Sequence, residues 1–364
     1  MLPLSAPFII KTMETKNRFL RSATMENMAD AEGYVTDDHY RLYFELARGG
    51  AGLLITGAAA VQESGRVWGG QIGIWDDRHV SGLSKIPTIV HRFGDGAKCA
   101  IQLHHGGAAG FGYSYGVEET GYSLRKATNA QIQKTIDAFA RASVRARSAG
   151  FDAIAVHGAH GYLISQFLSP LTNDREDAWG GDLDHRLRFP LAVVDAIKKS
   201  AGDDMPLLWK INCDDFLKGG MGIDAYAEAA AALCDAGVDM IEVSGGMKDQ
   251  IKLRTLLMKD AGEQEAYFHE AIKPFRKSVG KNALTVTGGI RSVRAMGNLL
   301  DCGVDYVGMC RPLISEPGLP NRLIHTSDRR EARCTSCNKC LIRIATRPLK
   351  CVEFDPFTAI LKQL

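Results

Sequence analysis

The chain has 364 residues, 45% of them apolar, enough to bury a core in one large domain with an appendage or in two ordinary domains. Lys and Arg number 44 against 42 Asp and Glu, a formal net charge of +2 that gives no ground for a nucleic acid or an acidic membrane surface as partner. There is no apolar run of about 18 residues, and the opening MLPLSAPFII lacks the basic flank and long apolar core of an export leader, so a soluble cytoplasmic protein is expected.

Short runs rich in Val, Ile and Leu alternate with longer helical patterns, the habit of parallel strands covered by helices. The first strand is expected at 18–23, followed by a helix over 38–47 that stops at Gly49 and Gly50. AGLLITGAAA holds the second strand, at 52–56, with a helix over 84–93. A third strand at 98–103 leads into a glycine-rich excursion through Tyr115 and a helix over 131–148. FDAIAVHGAHGYL supplies the fourth strand, ending near His157; a long polar loop, a helix over 186–199 and a fifth strand at 206–211 follow. MGIDAYAEAAAALCDAG reads as helix, VDMIEVSGG as strand six, 268–279 as helix, NALTVTGG as strand seven, 292–302 as helix and DYVGM as strand eight. Eight strands with no split into halves predict an α/β fold, a closed (β/α)8 TIM barrel over 1–325, with a cysteine-rich extension over 326–364. No GxGxxG is present, so nothing supports a Rossmann unit.

Ligands of such a barrel sit at the C-terminal ends of its strands, where this sequence concentrates its polar residues and glycines. TGGIRS after strand seven and GMCRPL after strand eight offer glycine backbone and the Arg311 guanidinium to a phosphate, or serve as ordinary turns. His157 and His160 have the groups to orient a carbonyl or nitro oxygen, and Tyr162 has a proton to deliver to carbon; capping, rim packing and, more remotely, metal binding are the other uses. Lys210 closes the apolar strand PLLWKIN and needs either an anionic or strongly polar ligand or a pairing with Asp214, Asp215 or Glu242. The Gln102 amide matches a heterocycle's donor and acceptor edge or satisfies nearby backbone.

HGAHGYLISQFLSPLTNDREDAWGGDLDHRLRF at 157–189 resembles the old yellow enzyme family of FMN-dependent ene reductases. KNRFLRSATM, IQLHHGG, VSGG, TVTGGIR and VGMCRPL agree in order, over about residues 8–320. The resemblance implies that Ala23, Thr24, Met25 and Ala58 line the flavin, that Gln102 binds its pyrimidine side and that Lys210 stands where many relatives have arginine. It implies a phosphate held by Gly288, Gly289, Gly308, Met309 and Arg311, a substrate activating group bound by His157 and His160, and Tyr162 as proton donor. The expected chemistry is reduction of an activated carbon–carbon double bond, with NAD(P)H as transient electron donor. Met25 replaces a cysteine or threonine of several relatives and cannot donate a hydrogen bond, and the segment after Gln102 lacks a common arginine.

Nine cysteines divide into two groups. Cys99, Cys213, Cys234, Cys302 and Cys310 read as small buried hydrophobes. Cys334, Cys337, Cys340 and Cys351 form C-x2-C-x2-C-x10-C, which suits a [4Fe–4S] cluster or zinc, with free thiols as the alternative. The pattern resembles the iron–sulfur segment of the 2,4-dienoyl-CoA reductase and trimethylamine dehydrogenase branch, which favours the cluster. That branch keeps open amine dehydrogenation and reverse flux; a different class is an FMN electron-transfer or sensing protein using a separate redox partner protein, and without flavin the alternative is a barrel acting on phosphate substrates. A homo-oligomer also stays open, because composition marks no dimer face.

Overall fold

The computed structural model describes residues 3–110, 127–247 and 265–354; most of the glycine-rich excursion, including Tyr115, and residues 355–364 of the expected extension lie outside them. A two-stranded antiparallel hairpin, β1 (Phe8–Ile10) and β2 (Met13–Thr15), comes first. The barrel strands are β3 (Phe19–Arg21), β4 (Leu53–Ala60), β5 (Lys98–His104), β6 (Ala153–Gly158), β7 (Leu207–Asn212), β8 (Met240–Ser244), β9 (Ala283–Thr287) and β10 (Tyr306–Met309). All neighbours are parallel, and β10 pairs with β3 to close the ring, Val307 opposite Phe19 and Met309 opposite Arg21. Helices Asp37–Arg48, Lys85–Phe93, Asn129–Ser148, Leu183–Ala201, Ile223–Asp235, Ile272–Val279 and Val293–Asp301 cover the outside. The chain therefore folds as the expected (β/α)8 barrel.

Side chains on a strand alternate faces, and this places the site. Leu20, Leu53, Ile55, Ala100, Ala153, Ala155, Leu208, Met240, Ala283 and Tyr306 fill the barrel interior as one buried cluster. Two residues further along, the same parity carries Ser22, Gln102, His157, Lys210, Glu242 and Gly308: an apolar interior gives way to a polar layer at the C-terminal end. Outward neighbours such as Ile101, Val156, Trp209, Ile241 and Val307 pack against the helices in a separate cluster.

Several boundaries differ from expectation for local reasons. The register of β4 on β5 shifts between Ile55 and Ala58, so β4 runs on past the expected end at 56, and the irregularity turns Ala58 inward. The helix expected from 186 begins at Leu183, because the Asp182 side chain accepts the His185 N–H at 2.9 Å and caps it. The polar loop after the fourth strand contains a short helix, Leu163–Leu168. The hairpin was not anticipated. Ile10 and Met13 close the lower end of the barrel, and Thr15 Oγ1 lies 2.8 Å from the Tyr306 hydroxyl. Among the described residues, no helix is long and apolar enough to cross a membrane.

At the opposite end the chain folds back onto the barrel mouth. Cys340, Ile344 and Leu349 form a small apolar cluster with Met25, Met28, Ile314 and Leu341. The Leu349 N–H donates to the Glu26 carbonyl at 2.8 Å, and Asn27 Nδ2 donates to the Ile344 carbonyl at 2.9 Å.

Glu26 is the hub of this corner. Its Oε1 accepts from Arg21 Nη2 at 2.9 Å, the Tyr43 hydroxyl at 2.6 Å and the Gly57 N–H at 3.2 Å, all buried. Removing the carboxylate strands a buried guanidinium. Glu26→Ala is expected to lower the unfolding free energy by about 3–5 kcal/mol in urea titrations, whereas a loss below about 1 kcal/mol would show that the pair contributes little.

Candidate functional site

The described residues enclose a cavity of about 330 Å³ at the C-terminal ends of the strands. Ala23, Thr24, Met25 and Ala58 line it from β3 and β4, Gln102 from β5, His157, His160 and Tyr162 from β6 and the turn after it, and Lys210 from β7. Gly288, Gly289, Gly308, Met309 and Arg311 complete the wall after β9 and β10. Every residue expected to bind flavin or substrate thus borders one space.

Lys210 and Glu242 are register partners on β7 and β8, 3.1 Å apart, their side chains 4% and 2% exposed. Of the three carboxylates considered for Lys210, Glu242 is the partner. Lys210 Nζ donates to Ser22 Oγ at 2.8 Å, Ser22 Oγ donates to Glu242 Oε1, and Thr287 Oγ1 donates to the same oxygen at 2.7 Å. Asp215 is engaged elsewhere, accepting from Ser169 Oγ at 2.7 Å and the Tyr226 hydroxyl at 2.6 Å.

Gln102 supplies a test of fit for a cofactor. Its Nε2 is buried with no hydrogen-bond partner, although the backbone N–H is bound to Thr56 Oγ1 at 3.2 Å. An orphaned buried donor is costly, and a ligand acceptor removes that cost. It borders the same cavity as Lys210, so this end of the space fits the polar edge of a heterocycle such as the flavin.

The histidine turn is built from strained but heavily tied backbone. His160 has φ 65° and Gly161 φ 74°; the His160 N–H donates to Asn212 Oδ1 at 3.0 Å, and the Gly161 N–H to Ser165 Oγ at 3.1 Å. His160 Nε2 lies 2.7 Å from Ser244 Oγ. The Ala159 N–H, which can only donate, points at His157 Nδ1 at 3.3 Å and leaves the ring proton on Nε2. Tyr162 stands edge-on to His157, centroids 5.2 Å apart, and to His104, 4.6 Å apart. One phenol therefore faces two imidazoles in the cavity wall.

At the other group of glycines, Arg311 donates to Asn338 Oδ1 and to the Tyr267 hydroxyl, each at 2.8 Å. Gly289, at φ 67°, lies under the Tyr267 ring, where a Cβ would come within 2.1 Å of Cε1; a Cβ at Gly308 would come within 2.1 Å of Thr287 Oγ1. Only glycine permits both approaches.

Cys334, Cys337, Cys340 and Cys351 line one small second cavity together with Arg311 and Asn338. Burial pushes the Cys340 thiol up to about 11 and raises Cys334. Among the described residues, however, no three His, Cys, Asp or Glu side chains are placed to hold a metal ion, so the ligand set for a cluster or zinc is gathered on one cavity but not assembled. The scattered cysteines are less uniform than expected: Cys99 and Cys213 are buried, Cys234 and Cys310 half-buried, and Cys302 exposed on the turn after helix Val293–Asp301.

Sequence reasoning assigned no role to His104, Gln71, Ser244, Tyr267 or Ser336, all of which border the main cavity. His104 and Ser244 lie in the segments IQLHHGG and VSGG, and parity with the inward Gln102 and Glu242 was the available signal. Gln71, on the loop after β4, and Ser336, in the cysteine segment, are brought in by long-range folding that no local pattern announces.

Burial lowers His104 and His105 to about 3, with His105 adding to the effect on His104. Folded, both bind fewer protons than the unfolded chain between about pH 6.5 and about pH 3. Their share of stability is complete above about 6.5 and is lost as pH falls towards about 3. The double change His104→Gln and His105→Gln should flatten the fall of the urea midpoint between about pH 6.5 and about pH 4; an unchanged slope would contradict this.

Residues 3–329 match the family described as NADH:flavin oxidoreductase / NADH oxidase. A NADH oxidase of Thermoanaerobacter brockii is 33% identical over 90% of this chain and 52% of its own length, so the chain spans about half of that relative. A NADPH dehydrogenase of Geobacillus sp. (strain WCH70) is 33% identical over 87% of this chain and 92% of its own. A solved 2-naphthoyl-CoA reductase superposes with TM-score 0.86 at 25% identity, covering 98% of this chain and 57% of the reductase. By the extent of the family match and by the NADPH dehydrogenase likeness, the chain belongs to the NADH:flavin oxidoreductase / NADH oxidase family.

Proposed function

We propose that this chain is an FMN-dependent oxidoreductase that takes electrons from NAD(P)H and reduces activated carbon–carbon double bonds. The observation that carries the reading is one cavity bringing together an unpaired buried amide donor, Gln102 Nε2, with the His157, His160 and Tyr162 cluster. Bound there, FMN would supply the hydride that the substrate's β carbon receives.

In this reading Gln102 meets the pyrimidine edge, and Lys210, its charge offset by Glu242, lines the same side of the ring. Ala23, Thr24, Met25 and Ala58 form the wall against the ring, while Gly288, Gly289, Gly308, Met309 and Arg311 hold the phosphate. His157 and His160 donate to the oxygen of the activating group, where negative charge develops as hydride is added. Tyr162 gives its proton to the α carbon and recovers it from solvent. The rigid turn at His160 and Gly161 holds these groups in place without rearrangement.

In the same reading the four terminal thiols, gathered on one cavity but not placed to hold a metal ion as described, would be drawn together by a [4Fe–4S] cluster, with zinc as the alternative. Iron with labile sulfide in the purified protein supports the cluster and zinc alone supports the tetrahedral ion, while neither metal leaves four thiols. The relatives named NADH oxidase and NADPH dehydrogenase support a nicotinamide as electron source.

Tyr162→Phe should slow the anaerobic alkene half-reaction by about 10²–10⁴-fold while NADPH-dependent bleaching of the flavin band changes less than about tenfold. Equal losses in both half-reactions would remove Tyr162 from the proton-donor role.

A further inference from the structure

Gln71 determines how a histidine in the cavity wall is protonated. Its Oε1 accepts the Val67 N–H at 2.8 Å, and its Nε2 donates to the Ala58 carbonyl at 3.1 Å. Neither backbone group is able to exchange its role, so the two ends of the amide are assigned by their partners. The remaining Nε2–H of Gln71 meets His104 Nδ1 at 3.1 Å. An amide N–H only donates, so Nδ1 is the acceptor and a neutral ring must carry its proton on Nε2. Burial keeps that ring neutral, with its pKa lowered to about 3.

His104 borders the cavity with its ring edge-on to Tyr162 and 5.3 Å from the His157 ring, which has the same tautomer. Nδ1 faces Gln71, and Nε2 makes no hydrogen bond to a described residue. Two neighbouring imidazoles therefore each carry an Nε2–H donor in one wall.

Resting on the double-bond reductase reading, we propose that His104 is a specificity-determining residue whose Nε2–H binds a second oxygen of the activating group, so that the site favours nitroalkenes over enones. Hydride addition at the β carbon moves the π pair to the α carbon and spreads its charge over both nitro oxygens. In an enone the charge collects on one oxygen. Protonation of the α carbon by Tyr162 then completes the nitroalkane. With His157 and His160 on the first oxygen, the His104 donor matches the second charged oxygen of a nitro group, whereas with an enone it is left without a partner.

The test compares kcat and KM for 1-nitrocyclohexene and 2-cyclohexen-1-one, reduced with NADPH by the wild-type holoenzyme and by His104→Phe. Phenylalanine keeps a ring against Tyr162 and His157 but removes the donor. The nitroalkene-to-enone ratio of kcat/KM should fall about tenfold in the variant, carried mainly by a higher KM for the nitroalkene. ¹⁵N NMR of the histidine-labelled wild-type protein gives a readout that needs no substitution, and His104 should show a protonated Nε2 with a bare Nδ1. A ratio unchanged in His104→Phe, or a proton found on Nδ1, overturns the role of His104 while leaving the reductase reading intact. A wild-type enzyme that reduces neither acceptor overturns both.

Discussion

An ammonium and a carboxylate lie side by side on neighbouring strands under the barrel mouth, almost sealed from water. Taking either ion out of water alone costs several kcal/mol, so Lys210 and Glu242 are stable only together and only while their remaining hydrogen-bonding capacity is used. Ser22 and Thr287 supply that use, and the network thereby links the ends of β3, β7, β8 and β9. The polar layer above the apolar interior depends on this closure. Lys210 does not stand as a free cation beneath the cavity, since Glu242 offsets its charge, whereas the amide of Gln102 is left with a donor for a ligand.

The cysteine segment belongs to the same cavity. Asn338 accepts from Arg311, and Ser336, Leu341 and Ile344 border the main space, so the terminal segment forms part of the wall. This accounts for Met25, whose thioether offers no hydrogen-bond donor. It packs against Cys340, Ile344 and Leu349, and an apolar, adaptable side chain is what that contact requires. The thiols and the expected phosphate end meet at one guanidinium, which lines both cavities.

Much of the barrel was legible because its signals are local. Runs such as LLWKIN and MIEVS mark buried parallel strands, helical patterns separate them, and period-two parity predicts which residues face inward. The residue types at the strand ends were equally visible, and the cavity brings all of the expected flavin and substrate positions together. What was hidden depends on distant contacts. FII and MET are too short to announce a hairpin, and their role at the barrel base exists only through Tyr306, nearly 300 residues away by a separation of 291 between Thr15 and Tyr306. Lys210 had three candidate carboxylates in sequence, and only the register of β7 on β8 selects Glu242. His104 lies in the segment IQLHHGG, but its tautomer follows from Gln71, on a loop whose glycines and aromatic residues carry no periodic signal.

In the proposed reading one cavity would bind a flavin ring by its Gln102 and Lys210 side and a phosphate by its Arg311 side. Titration of the flavin-free full chain with FMN and with riboflavin, which lacks the phosphate, tests both sides at once by calorimetry. Both are expected to bind, FMN at least about 100-fold more tightly, the scale of charge-assisted bonds to a guanidinium. Equal affinities would contradict the phosphate assignment, and failure of either flavin to bind would contradict the flavin site itself.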